Sequence, residues 1–150
     1  MSLTARISRR LALLAAGGRD AAPVPLTAAT RLQFGVAASR AEFHSVARLV
    51  GKMYALEGYL PAGEGPGRPY YRLHQFLPDA RVLVARLEGR VLGTLTLVPD
   101  SPAGLPLEDL YGQEAAALRT QGRRLSELCS LAVDPACRGL GSRVLMGLLR

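Results

Sequence analysis

"LSELCSLAVDPACRGLGSRVLMGLLR", residues 125–150, changes character twice. Its first part is an apolar strand with one carboxylate, Glu127, set inside it. A Gly/Arg turn follows, and an amphipathic helix begins at about Gly141. Alternation along the strand puts Glu127, Cys129, Leu131 and Val133 on one face. Ser126, Leu128, Ser130 and Ala132 fall on the other. A carboxylate on such a face is expected to be partly desolvated, which makes it a better proton acceptor. The competing reading is a glutamate at a strand entrance, paired with Arg123 or Arg124. In the turn, glycines let the backbone approach a ligand closely, and a helix N-terminus offers free N–H groups to phosphate. Arg138 and Arg143 add charge there, so the turn reads as a candidate pyrophosphate cradle, although glycines also simply make turns.

Working outward, residues 107–121 fit a helix with Leu107, Leu110, Tyr111, Ala115 and Leu118 on one face, ended by Gly122. Before it, "ARVLVARLEGRVLGTLTLVPD" reads as an antiparallel hairpin. Val82, Val84 and Arg86 point one way, Leu83, Ala85 and Leu87 the other, and Glu88-Gly89-Arg90 makes the turn. Residues 31–38 form a half-buried strand. Ser39 and Glu42 have the spacing of a capping box and open a helix whose apolar stripe is Phe43, Val46, Ala47, Val50, Met53 and Tyr54, ending near Gly58. Residues 61–69 are a Pro/Gly loop and a candidate lid. Residues 1–27 read as a basic N-terminal arm and Pro-containing linker, and 28–150 as one domain. The order is β-α-β-β-α-β-α, an α/β class with a mixed sheet.

A chain of 150 residues, 49% apolar, is long enough to bury a core. The net charge of +7 is carried by arginine, with Lys52 the single lysine. It suits an anionic partner: nucleic acid, an acidic membrane, a phosphorylated cofactor or an acidic carrier protein. The arginines are scattered, with no basic stripe interleaved with aromatics, which argues against nucleic acid. Cys129 and Cys137 form no metal or disulfide pattern. His44 and His74 are isolated and read as surface or packing residues. The apolar part of the N-terminus, residues 11–16, is short for a secretory signal, and no run can span a bilayer, so a cytoplasmic location is expected.

"LAVDPACRGLGSRVLMGLL" resembles the cofactor motif of the GNAT acyltransferase superfamily, in which a central strand leads into a loop that holds the pyrophosphate of coenzyme A. "GTLTLVPDSPAGLP", "LYGQEAAALRTQGRRLSEL" and a glutamate-bearing strand followed by "LAV" are similar to the N-acyl amino acid synthase branch of that superfamily. The resemblance implies a GNAT-like fold and transfer of a long-chain acyl group from acyl carrier protein, or acyl-CoA, to the amine of an amino acid. It implies no permanently bound cofactor and no metal. Glu127 would be the general base, directly or through a water. Backbone N–H groups of Leu131, Ala132 and Val133 would hold the oxyanion. Arg138, Gly139, Gly141, Ser142 and Arg143 would hold the donor's phosphate. Related homoserine-lactone synthases carry an arginine shortly after the glutamate. Ser130 and Leu131 stand near that place here, which argues against that product. The superfamily fold continues with strands beyond the helix in which this chain stops, so the expectation is an N-acyltransferase domain truncated before them, with its activity in that form left open. An acetyl-CoA-dependent N-acetyltransferase and a non-catalytic basic binding module are the alternatives, and peripheral membrane contact stays open.

Overall fold

A computed structural model of the protein describes residues 31–60, 67–137 and 140–150. The basic arm, most of the 61–69 loop, Arg138 and Gly139 lie outside them. Four strands, β1 (Gln33–Val36), β2 (Arg81–Leu87), β3 (Arg90–Pro99) and β4 (Ser126–Val133), pair in that order, each antiparallel to the last. Helix α1 (Arg40–Leu56) covers one face of the sheet and α3 (Gly141–Leu148) the other, while α2 (Glu108–Thr120) joins β3 to β4. Helices and strands thus follow the order read from the sequence. In a meander each strand pairs with the one before it, so β4 takes an edge of the described sheet and not its centre. No helix among the described residues is long and apolar enough to cross a membrane.

The β2–β3 hairpin sets up both layers. Glu88 and Gly89 take the positive φ values that a two-residue turn needs. Period-two alternation then sends Val82 and Val84 toward α1, against Val46, Val50 and Met53. Ala85 and Leu87 go to the opposite face, against Val144 and Leu148 of α3. β3 is buried on both sides: Thr94, Thr96 and Val98 toward α1, Leu92 and Leu95 toward α3. Gly93 lies under α3, where a Cβ would meet the Val144 side chain.

α1 starts with the capping box expected of it. Ser39 Oγ accepts the Glu42 N–H at 3.2 Å, and Glu42 Oε2 accepts the Ser39 N–H at 3.3 Å. Near its end the chain crosses back over it. A Cβ on Gly51 would lie 2.5 Å from the Arg68 carbonyl, and the Tyr70 N–H donates to the Ala47 carbonyl at 2.8 Å. A 3-10 turn, Leu73–Phe76, follows and packs on β3. Phe43 stacks on Phe76, and Tyr54 meets Tyr70 at a tilt, which fixes the returning segment to the helix.

α2 departs from expectation. Of its apolar stripe only Ala115 is buried, and Leu110 is 82% exposed. Backbone at Tyr111 leaves helical geometry (φ −129°, ψ 33°), so the stripe does not hold one line. Polar ties at the helix's ends, described below, hold it instead of a packed face.

Replacing Gly93 with Ala forces its new methyl into Val144 and should cost about 1–3 kcal/mol of stability, read as a lower urea midpoint. Gly112→Ala, in helix α2 with open space around it, should lose none and gain up to about 1 kcal/mol.

Candidate functional site

β4 carries one residue more than its partner. Thr94 pairs with Ala132 and Thr96 with Cys129, so Ser130 and Leu131 together face Leu95. This is a β-bulge, and Ser130 takes a left-handed φ of 52° to make it. A non-glycine residue held there costs on the order of 1 kcal/mol. The extra residue shifts the side-chain period by one and overturns the single face read from the sequence. Glu127 and Cys129 turn toward the α1 layer together with Ala132, while Leu131 and Val133 pack on the α3 side.

Glu127 is half-buried, and its Oε2 accepts the Leu107 N–H at 2.7 Å. Among the described residues neither Arg123 nor Arg124 pairs with it; both are exposed. The Leu107 N–H is itself held in place. Arg119 reaches Asp100 at 2.6 Å and Glu108 at 2.5 Å, and Glu108 Oε1 accepts the Leu105 N–H at 2.6 Å. These bonds to Arg119 keep the Asp100 and Glu108 carboxyls below the usual carboxylate range. The 100–108 loop is therefore clamped as a unit beside Glu127.

On the same face, His74 Nε2 lies 3.3 Å from Ser130 Oγ, with both side chains buried. Burial, then the nearby Arg72 charge, lowers the His74 pKa, so the imidazole is neutral near pH 7. Burial raises the Tyr54 pKa despite a hydrogen bond with the Ser130 side chain. Cys129 is pushed up to about 11 by burial and by the Glu127 charge, which favours the thiol over the nucleophilic thiolate. Thr96 Oγ1 and Gln75 Nε2 are buried on this side with no hydrogen-bond partner among the described residues. From the sequence His74 reads as a surface or packing residue, and no motif there singles out Arg72 or Gln75. The one signal was the run Tyr70-Tyr71-Arg72-Leu73-His74-Gln75-Phe76, which interleaves polar and aromatic residues more densely than a plain connector does.

At the far end of β4 the described residues include part of the turn expected to form a cradle. Gly141 is the first residue of α3, whose N-terminus has no side-chain cap, and Ser142 and Arg143 are exposed. Arg143 lines a groove of about 500 Å³ with Arg31, Phe34 and Met146, over β1. The cations beside the start of the loop are others: Arg48, Lys52 and Arg90 line a groove of about 560 Å³ with Asp134. Asp134, which the sequence reading did not single out, is buried and accepts the Ala136 N–H at 3.0 Å. It also pairs with Lys52 and Arg90, each at 3.1 Å. Its Asp-Pro step, followed by an N–H two residues on, is the signal of an Asx turn. Among the described residues no His/Cys/Asp/Glu group could hold a metal ion.

The family model of N-acyl amino acid synthase FeeM matches residues 45–150. The chain belongs to that family. The match takes in α1 from residue 45 onward, the clamped loop and the whole bulged strand. In structure the chain is similar to FeeM, an N-acyl amino acid synthase from uncultured soil microbes. The TM-score is 0.63 at 23% sequence identity, over 73% of this chain and 55% of that one. The likeness at that identity is one of fold, and this chain spans little more than half of that synthase. No curated protein matches it.

Burial raises the Asp134 pKa, but the Ala136 N–H, Lys52 and Arg90 outweigh that and leave it lowered. A carboxyl lowered in the folded state stabilises above its unfolded pKa of about 4 and loses that contribution as pH falls through the folded value. Asp134→Asn should therefore cost roughly 1–2 kcal/mol at pH 7, discounted for the exposure of Lys52 and Arg90. The difference from wild type should shrink as urea melts are taken from pH 5 down toward pH 3.

Proposed function

We propose that the protein is an N-acyltransferase that joins a long-chain acyl group, carried as a thioester, to the amine of an amino acid. The observation that carries the reading is the bulge at Ser130 in a chain of this family. It interrupts the ladder to β3 within a few residues of a half-buried carboxylate, on a strand whose other edge has no partner among the described residues. Alternate N–H groups along that edge point away from the sheet, so an extended thioester arm can lie beside it.

In this reading Glu127 takes a proton from the acceptor ammonium, directly or through a water. The free amine attacks the thioester carbonyl. The N–C bond forms, the oxyanion rests on backbone N–H groups of residues 131–133, and the C–S bond then breaks. The thiolate leaves and recovers a proton. No acyl-enzyme forms, in keeping with a Cys129 thiol held at about 11. The donor is acyl carrier protein or acyl-CoA. Its phosphate would meet the α3 N-terminus at Gly141 and Ser142, with Arg138, Gly139 and Arg143 completing the cradle. The net charge of +7 suits a strongly acidic carrier protein in the cytoplasm.

Glu127→Gln keeps an oxygen to accept the Leu107 N–H but removes the base. It should lower kcat by about 10²–10⁴-fold with the fold intact, and raising the pH should restore part of the loss because more amine is then already deprotonated. Near-normal turnover of Glu127→Gln across pH 6–9 would leave the glutamate only its tie to α2. Parallel assays with acetyl-CoA and with a long-chain acyl carrier protein separate this reading from an N-acetyltransferase.

A further inference from the structure

Three arginines among the described residues have half-buried side chains: Arg72, Arg86 and Arg119. Arg86 is paired with Glu42, and Arg119 with Asp100 and Glu108. Arg72 has no carboxylate partner among those residues. Its guanidinium instead lies over the Tyr70 ring, 5.7 Å from the centroid, and donates to the Tyr70 hydroxyl at 3.2 Å. Its backbone N–H donates to Gln75 Oε1 at 3.3 Å, which fixes the start of the 3-10 turn. A partly desolvated guanidinium without a counter-ion is costly, and a planar fork held by an aromatic face is pre-organised for a carboxylate.

Arg72 also lines a cavity of about 380 Å³, with His74 and Leu77 on one wall and Gly104, Pro106 and Asp109 on the other. The second wall is the clamped loop, and the next residue after Pro106 supplies the N–H that holds Glu127. The cavity thus has a free cation on one side and, on the other, Asp109 and the element that holds the Glu127 carboxylate. That polarity matches a zwitterion.

We propose that this cavity is the acceptor subsite, and that Arg72 binds the α-carboxylate of the incoming amino acid. The acceptor is then an α-amino acid and not a simple amine, because a ligand without the carboxylate leaves the guanidinium unpaired. The ammonium end points toward Glu127 and Asp109. This assignment rests on the N-acyltransferase reading and names the residue that sets its acceptor specificity.

The test compares two product-like ligands that differ only in the carboxylate, N-dodecanoyl-L-phenylalanine and N-dodecanoyl-phenethylamine, by calorimetric titration of the full chain. Wild type should bind the acid at least about tenfold more tightly, the size expected of one charge-assisted bidentate contact. Arg72→Met should bring the ratio to about 1, and Arg72→Lys should retain part of it. If Arg72→Met melts below the assay temperature, Arg72→Gln, which keeps a polar side chain without the charge, gives the same reading. A wild type that binds both ligands equally or neither, or an Arg72 variant without the charge that still discriminates, overturns the assignment. The transferase reading is scored separately. Discrimination without acyl transfer from any thioester removes that reading alone, and transfer without discrimination removes the Arg72 subsite alone.

Discussion

A strand buried on both faces needs a layer on each side, and β3 imposes that requirement on the rest of the chain. Leu92 and Leu95 face one way and Thr94, Thr96 and Val98 the other, all at 2% exposure or less. α1 and α3 are the two layers that answer it, and Gly93 is small because α3 lies so close. The two layers do different work. On the α3 side the contacts are wholly apolar, with Leu87, Val133, Val144 and Leu148 at their centre. On the α1 side the floor includes two threonines, one of which has its hydroxyl bound to the Leu83 carbonyl at 2.9 Å. Glu127, His74, Ser130 and Arg72 gather on that side.

The bulge divides the work along β4. Before it, side chains of the strand face the polar cluster; after it, Leu131 and Val133 close the apolar core beneath α3. One strand therefore supplies both a carboxylate to the site and two anchors to the hydrophobic layer, which strict alternation would have set on one face. The left-handed backbone at Ser130 is the cost of that arrangement, offset in part by the hydroxyl's contact with His74.

The periodic parts of the fold were legible in the sequence. The hairpin, α1 with its capping box, the start of α3 and the strand around Glu127 all follow from alternation, cap spacing and turn residues, which are local properties. The resemblance to the N-acyl amino acid synthase branch, carried by residues within 31–133, also pointed to the right family. What stayed hidden depends on partners far apart in the chain. The bulge exists only in the register between β4 and β3, and no residue type announces it, since serine rarely takes a positive φ. His74, Gln75 and Arg72 sit in a turn with no period, and their place on the sheet depends on Gly51 letting the chain cross α1. The α2 stripe misled for the opposite reason: its apolar spacing is helical, but no layer of the described fold covers it.

The bulge also bears on self-association. An open strand edge is a template on which a second copy of the chain can add, and Leu128, 55% exposed, makes this one apolar. A foreign strand pairing from Ser126 onward meets a break in repeat at Ser130, where the outward N–H and C=O groups fall out of step with its own. Long, continuous strand addition is blocked there, whereas a short extended arm needs only the few groups on one side of the break. The irregularity that interrupts the ladder to β3 would interrupt a long added strand at the same place.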